Sequence, residues 1–220
     1  MLFDIITIFS TFIMGVCMIV ITGPSASGKT ATCYYLQENY GIKKVITHTT
    51  RQMRAGEKND VDYHFVSEEE FQKMIENDEF VEYVFYNGNH YGTSRKEVRI
   101  DKCMAVEING AMTYKSFHDP KIVLFRLNLD EEKCRERMLL RGDEPKKVAS
   151  RIENDKKAFH LTPEMEKMID CDVDTKNYDL PEVAEYIYKK YIEILKERGI
   201  DYEKELQSIE KGAVKEFDHF

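Results

Sequence analysis

Residues 18–41 read MIVITGPSASGKTATCYYLQENYG. The first four residues are apolar and mostly β-branched, which predicts a buried strand. Residues 23–30 fit the pattern G-x-x-x-x-G-K-[ST], a loop whose backbone N–H groups surround a phosphate. Apolar residues then recur at helical spacing as far as Gly41, a typical C-cap. Strand, glycine loop and helix in this order predict a phosphate-binding loop with the helix N-terminus directed at the phosphate.

Two side chains of this loop have expected roles. We expect Lys29 to reach the β- and γ-phosphate oxygens of ATP and Thr30 to be a ligand of Mg²⁺. The motif does not by itself separate a GTPase, an ATPase and a kinase. A GTPase normally carries N-K-x-D for guanine, and the sequence contains no Asn-Lys pair, which argues against that class. The predicted ATP contacts are Gly23, Pro24, Ser25, Ala26, Ser27, Gly28, Lys29 and Thr30.

Composition limits the other function classes. The chain has 220 residues, 42% of them hydrophobic, enough for one compact domain with attached lobes. Its formal net charge of -8 is the opposite of the basic surface that nucleic acid binding normally needs. Five cysteines without a C-x-x-C pair predict free thiols, and six histidines lack metal-ligand spacing. We expect a cytoplasmic monomer or homodimer with no nucleic acid partner.

The N-terminal segment 1–17 is nearly all apolar, with Asp4 as its single charge. It lacks the basic n-region of a signal peptide. As a helix it spans about 25 Å, less than the roughly 30 Å of a membrane core, so stable membrane association is not expected. Three interpretations stay open: a membrane anchor, a start codon assigned upstream of Met14 or Met18, and an apolar arm packed on the body.

Two apolar runs further along the chain predict strands in the same sheet as the strand that begins at Met18. Cys103–Ile108 and Ile122–Leu129 are largely apolar, which is typical of a parallel sheet buried on both faces. A helix is expected between them near 111–117. A last strand near 169–173 and a helix over 180–197 complete a predicted α/β body.

The segment from 45 to 100 has a different pattern. Short strands at 63–66 and 81–85, an Asn87-Gly88 turn and a helix opened by a Ser67–Glu70 capping box predict an inserted lobe of mixed α and β structure.

A second interruption follows residue 130. Asp130 caps a predicted helix that runs to Leu140, and RGDEPKK at 141–147 then breaks the helical pattern with a glycine and a proline. Such a break suits a mobile lid. Residues 202–220 predict a charged helical tail.

Residues 47–66 read THTTRQMRAGEKNDVDYHFV. This stretch closely resembles the guanylate kinase family, whose members carry T-T-R-x-x-R-x-G-E followed by D-Y-x-F. The resemblance covers about residues 18–190. It implies an α/β P-loop NTPase fold, a three-layer core with a parallel sheet, an inserted mixed α+β GMP-binding lobe and a helical lid. The implied limits are 1–17 for the extension, 18–195 for the domain (core 18–46, 103–135 and 160–195; lobe 47–102; lid 136–159) and 196–220 for the tail.

The resemblance assigns the GMP phosphate to Arg51 and Arg54, together with Tyr63 and Tyr91. Independently of the family, two guanidinium groups three residues apart suit a dianionic phosphate.

The resemblance continues at Phe80–Tyr83 and Gly88–Thr93, and it implies that Glu82 and Thr93, with Thr47, contact the guanine base. Guanine offers two adjacent N–H donors at N1 and N2, so an ionised carboxylate accepts both, whereas adenine offers one acceptor and one donor. Glu82 is therefore expected to reject AMP.

The chain departs from the family pattern at 106–111. Asn109 stands where the family usually has Asp, and the turn is shortened, but the Asn amide oxygen still accepts a hydrogen bond. Glu107 and Asn109 are the remaining predicted GMP contacts. Alternatively, Glu107 orients water bound to Mg²⁺, and the sequence leaves both roles open.

The arginines of the lid complete the predicted site. Arg137 and Arg141 are four residues apart on one helix face, and Arg151 follows the break. The resemblance implies that they neutralise the transferring phosphate together with Lys29 and Arg54.

The implied enzyme is an ATP:GMP phosphotransferase that also accepts dGMP and releases ADP and GDP. The alternatives are a P-loop kinase for another phosphorylated small molecule and a non-catalytic binding module. Intact Lys29, Arg51 and Arg54 argue against the module.

Overall fold

The computed structural model describes residues 18–53, 56–86 and 88–217, so the extension 1–17, Arg54 and the Asn87 turn lie outside it. The strands are β1 (Met18–Thr22), β2 (Lys43–Lys44), β3 (His48–Thr49), β4 (His64–Phe65), β5 (Phe80–Tyr86), β6 (Asn89–Ser94), β7 (Lys102–Ala105), β8 (Ile122–Asn128) and β9 (Cys171–Asp174). The helices are α1 (Lys29–Tyr40), α2 (Glu68–Glu76), α3 (Ile108–Lys115), α4 (Glu131–Leu140), α5 (Pro145–Ala158), α6 (Pro163–Met168), α7 (Leu180–Glu197) and α8 (Tyr202–Phe217), with a 3₁₀ turn at Arg95–Glu97.

The described residues divide into two compact units. The larger unit contains 18–44 and 100–217, and the smaller unit is Val45–Arg99. The smaller unit overlaps the predicted lobe 47–102, although Lys102 lies in β7 of the larger unit. The predicted limits at 135/136 and 195/196 fall inside the continuous helices α4 and α7, so they are not element boundaries.

The sheet of the larger unit is parallel throughout and has the strand order β2-β7-β1-β8-β9. All five residues of the central strand β1 are buried. A central strand covered on both faces needs apolar side chains on both, which explains its continuous apolar run. The predicted α/β fold with a parallel sheet is confirmed.

Helix α7 covers one face of this sheet. Val123, Phe125 and Leu127 of β8 form one buried cluster with Ile187 and Tyr191 of α7. Full burial of an aliphatic or aromatic side chain contributes about 2 kcal/mol. The buried residues of α7 recur at helical spacing along the sequence. For this reason the sequence predicts the helix at the bounds that the structure has.

Local capping fixes several helix ends. Gly41 adopts a left-handed conformation with φ 69° and donates its N–H to the carbonyl of Leu36 at the end of α1. The Asp130 carboxylate accepts the N–H of Lys133 at the start of α4. Ser67 and Glu70 form the predicted capping box of α2. These three predictions are confirmed.

The strand predicted at Cys103–Ile108 is wrong beyond Ala105. β7 ends there, opposite Ile21 of β1, and Ile108 already begins α3. Ile108, Ala111 and Tyr114 are buried at helical spacing, so these apolar residues belong to a helix face.

The sheet of the smaller unit has the order β4-β3-β6-β5, with β3 and β4 parallel and the other pairs antiparallel. Its core is aromatic, because Phe71 of α2 stacks on Phe80 and on His90, with ring centroids 4.4 and 5.1 Å apart. A Cβ at Gly92 would lie 2.9 Å from the Phe80 ring and 3.0 Å from that of Phe71. Glycine is required at this close approach.

His48 is part of the same aromatic core. Its ring lies 4.5 Å from that of His64 and meets Phe80 edge-on at 5.7 Å, and its buried Nδ1 has no hydrogen-bond partner among the residues that the structure describes. Burial, and secondly the charge of His64, lower the pKa of His48 to about 4. His48 is therefore neutral near pH 7, as a core histidine should be.

The tail helix α8 packs on the larger unit. The rings of Tyr202 and Tyr191 meet edge-on at 6.1 Å, and Lys121 forms an ion pair with Glu205 at 2.6 Å. Within 18–53, 56–86 and 88–217, no helix is long and apolar enough to cross a membrane. The cysteines described are free thiols, namely Cys33, Cys103, Cys134 and Cys171.

Candidate active site

The loop 23–28 connects β1 to α1 and is held by its backbone. A Cβ at Gly23, which has φ 150°, would lie 2.6 Å from the backbone oxygen of Leu127. Gly28, at φ 103°, is the N-cap of α1 and has open space beside it. Ala26 is also left-handed, with φ 62°, a conformation that costs a residue with a Cβ about 1 kcal/mol. The loop therefore has a conformation that is strained at Ala26.

Lys29 folds back over the loop. Its Nζ donates to the carbonyl oxygens of Gly23 at 2.7 Å and Pro24 at 3.1 Å. Burial lowers the pKa of Lys29, and the negative charges of Glu107 and Asp155 oppose that effect. The ammonium group is thus kept inside the loop, where a phosphate would meet it.

The loop also holds a polar atom without a partner. Among the described residues, the buried hydroxyl of Ser27 has no hydrogen-bond partner, and neither do the buried hydroxyls of Thr22 and Thr32 on the adjoining strand and helix. Buried hydroxyl groups without partners are uncommon in proteins. A phosphate oxygen in the loop would give the Ser27 hydroxyl an acceptor, so the residues present fit a phosphate.

The three arginines of the predicted lid have different partners. Arg137, on α4, donates to the carbonyl oxygens of Ala26 at 3.3 Å and Thr175 at 3.2 Å. Arg141 and Arg151 instead share the carboxylate of Asp143, at 2.6 and 2.9 Å. The hydrogen bond from Arg141 and the charges of both arginines lower the pKa of Asp143. Arg137 therefore contacts the loop, whereas Arg141 and Arg151 are engaged elsewhere.

Sequence reasoning did not identify two carboxylates in this region. Asp143 is the partner of Arg141 and Arg151, and Asp155 of α5 accepts the backbone N–H of Ser25 at 2.8 Å. Two spacings in the sequence could have drawn attention to them. Asp143 follows Arg141 by two residues, and Asp155 follows Arg151 by four, which puts Arg151 and Asp155 on one helix face.

A cavity of about 470 Å³ opens beside the loop, a size typical of small-molecule sites. Its wall includes Pro24 of the loop and Asp155 and Phe159 near the end of α5. Lys156 and Lys176 line it together with carboxylates, so the cavity is bordered by both signs of charge.

Glu107 and Asn109 lie at the start of α3 in the larger unit, and both are exposed. Glu107 is the N-cap residue of α3, and its side chain forms no capping bond. Its negative charge opposes the effect of burial on the pKa of Lys29. The backbone oxygen of Asn109 accepts the hydroxyl of Thr113 at 3.2 Å.

The other predicted GMP contacts lie in the smaller unit. Arg51 donates to Glu57 at 2.7 Å, and its guanidinium lies 5.4 Å from the ring centroids of both Tyr63 and Phe65. The ring of Tyr91 is 6.2 Å from that of Tyr63. The structure therefore brings Arg51, Tyr63 and Tyr91 together, and Arg54 lies outside the described residues.

Glu82 and Thr93 face each other across the antiparallel strands β5 and β6. The hydroxyl of Thr93, which is fully buried, donates to Glu82 at 2.7 Å. This contact orients the carboxylate. Thr47 precedes β3, and its backbone oxygen accepts the N–H of His64 at 2.9 Å.

Comparison with known proteins identifies a family. Residues 16–190 match the family model described as "Guanylate kinase". A guanylate kinase of Fusobacterium nucleatum subsp. nucleatum is 32% identical over 158 residues, which cover 68% of this chain and 85% of that protein. A guanylate kinase of Prochlorococcus marinus subsp. pastoris is 32% identical over 179 residues, covering 78% and 95%.

A solved structure shows the same fold. The crystal structure of guanylate kinase from Anaplasma phagocytophilum superposes with a TM-score of 0.54, covering 80% of this chain and 83% of that one at 24% identity. The loop 23–30 and the Glu82–Thr93 pair lie within the matched residues 16–190. This match shows that the chain belongs to the guanylate kinase family.

Proposed function

We propose that this protein transfers the terminal phosphoryl group of MgATP to GMP, and also to dGMP, and releases ADP with GDP or dGDP. The observation that carries the proposal is the Glu82–Thr93 hydrogen bond. A carboxylate fixed in this way accepts the N1 and N2 hydrogens of guanine, whereas adenine has an acceptor in place of one of them. Recognition of guanine distinguishes this acceptor from other nucleotides.

The phosphate of the acceptor would be bound by arginine and tyrosine. Arg51 lies against the face of Tyr63, which orients a planar guanidinium, and the Tyr91 ring is nearby. We infer that Arg54 joins them. A bound phosphate would compete with Glu57 for the Arg51 guanidinium.

The donor phosphates would occupy the loop 23–30. The Ser27 hydroxyl without a partner and the open space beside Gly28 support this assignment. Lys29 would exchange its two carbonyl partners for phosphate oxygens, which carry more negative charge.

A magnesium ion fits the donor set on α1. Thr30 is an exposed residue on the first turn of the helix, and a hydroxyl with phosphate oxygens and waters suits Mg²⁺. When bound, the ion neutralises charge on the phosphates and orients them. Glu107 lies close enough to act on Lys29, which supports the interpretation that it holds ion-bound water.

The reaction itself requires no covalent intermediate. A phosphate oxygen of GMP attacks the γ-phosphorus, the bond from that phosphorus to the β–γ bridging oxygen breaks, and ADP leaves. Lys29, Arg54, Arg137, Arg141 and Arg151 would neutralise the developing charge. Arg141 and Arg151 would first have to release Asp143.

A coupled assay of ADP release tests this proposal. MgATP is offered separately with GMP, dGMP, AMP, UMP and CMP, and a Lys29→Ala variant serves as control. We expect turnover with GMP and dGMP alone, reduced by about 1,000-fold or more in the control. Turnover with a different acceptor, or with none despite ATP binding, would reject the GMP assignment.

We also infer a cytoplasmic location. The free Cys33, Cys103, Cys134 and Cys171 support it, because thiols persist in reducing compartments.

A further inference from the structure

The backbone N–H of Ser25, in the phosphate loop, donates to a carboxylate. The acceptor is Oδ2 of Asp155, on α5, at 2.8 Å, and both residues are partly buried. Hydrogen bonds with an ionised acceptor are stronger than neutral ones. We call this contact the Asp155 clasp.

The clasp lies where negative charge is expected. Lys29 bonds to the carbonyl oxygens of Gly23 and Pro24, the two residues that precede Ser25. Burial lowers the pKa of Lys29, and the charge of Asp155 is one of the two carboxylate charges that oppose this. The Asp155 carboxylate thus acts on the same amide and the same ammonium group that a terminal phosphate would use.

A second carboxylate, that of Asp143, likewise contacts groups that are predicted to bind phosphate. Arg151 lies one turn before Asp155 on α5, and together with Arg141 it is held by Asp143. Two of the cations predicted to meet the phosphate, Arg141 and Arg151, and the Ser25 amide are therefore occupied by internal carboxylates.

We propose that Asp155 is an internal competitor for the terminal phosphate of the nucleotide, joining α5 to the phosphate loop until bound nucleotide displaces it. The inference rests on the proposed binding of ATP phosphates by this loop. Phosphate oxygens near Ser25 repel a neighbouring carboxylate, so nucleotide and clasp exclude each other. Part of the binding energy of ATP is spent in breaking the clasp, and α5 is released only when nucleotide is present.

Equilibrium binding of MgATP, without any acceptor, tests the proposal. Asp155→Asn removes the charge with little change of shape, and Asp155→Ser removes the carboxylate altogether. We expect both variants to bind MgATP about tenfold more tightly than the unaltered protein. Binding of adenosine, which has no phosphate, should be unchanged. Thermal unfolding verifies that each variant is folded, and the second variant serves if the first is not.

Glu153→Gln is the matched control. Glu153 is exposed on the same helix and pairs with Lys157 at 3.4 Å, so its loss changes the charge of α5 equally but leaves the clasp intact. Its affinity for MgATP should stay within about twofold of the unaltered protein. Equal or weaker binding by the folded Asp155 variants, or tighter binding by the control, would overturn the proposal. Because no GMP turnover is measured, failure of the GMP assignment is detected separately by the acceptor assay.

Discussion

The two units hold their predicted ligand groups by different means. In the larger unit the loop 23–28 offers backbone N–H groups, and it leaves no room for a Cβ at Gly23 beside the backbone oxygen of Leu127. In the smaller unit they are side chains such as Arg51 and Glu82, on or near short strands around an aromatic core. We infer that the first kind of site is sensitive to small changes of backbone and the second to changes of charge.

Gly23→Ala addresses the backbone side of this difference and has the largest expected effect. The new Cβ meets the Leu127 oxygen at 2.6 Å, so the loop must shift. We expect turnover with MgATP and GMP to fall about 100-fold, since misplacement of reacting groups is costly. Steady-state kinetics measure the loss.

Gly199→Ala is the control for that change. Gly199 is also left-handed, with φ 75°, but its Cβ would meet nothing within 4 Å. Its turnover should equal that of the unaltered protein. Normal activity of Gly23→Ala would show that the loop tolerates backbone displacement, and the distinction between the units would fail.

Glu82→Gln addresses the side-chain side. The amide preserves the size and the hydrogen bond with Thr93 but removes the charge. We expect kcat/KM for GMP to fall about 30-fold, or roughly 2 kcal/mol, because one guanine N–H loses its acceptor. Discrimination against AMP should fall as well. Glu69→Gln, on the exposed start of α2, is the matched control and should leave both quantities unchanged.

His48 gives the smallest effect, and it concerns stability. The pKa of His48 is about 4 in the folded chain, against about 6.5 in an unfolded one. Between these values the unfolded chain takes up a proton that the folded chain does not, so stability falls as pH decreases from 6.5 to 4. Above pH 6.5 both states are neutral and the effect is absent.

His48→Phe keeps an aromatic ring against Phe80 and cannot titrate. From pH 7 to 4, we expect the unaltered protein to lose on the order of 1 kcal/mol more free energy of unfolding than this variant. Urea unfolding followed by tyrosine fluorescence measures the difference, since the chain has no tryptophan. His118→Gln, at an exposed position of the larger unit, should behave like the unaltered protein. Equal pH dependence of His48→Phe would contradict the assignment.

Local patterns in the sequence were sufficient to predict the structure wherever it depends on neighbours along the chain. The phosphate loop, the C-cap at Gly41 and the capping box at Ser67 each depend on residues within one or two turns. Helix α7 follows from the spacing of its own apolar residues. The family pattern around Arg51 and Glu82 belongs with these, since it is read from contiguous residues.

The tertiary structure alone decided features that depend on distant partners. β7 ends at Ala105 and α3 begins at Ile108, whose burial depends on packing that no pattern within 103–108 records. Ser25 and Asp155 are 130 residues apart along the chain. The burial that lowers the pKa of His48 comes from residues on other strands, such as Phe80 of β5. The sequence by itself determined which groups are available for phosphate and base. Which of them are held by carboxylates, and which face the loop, was decided by packing, because electrostatic contacts depend on distance in space and not along the chain.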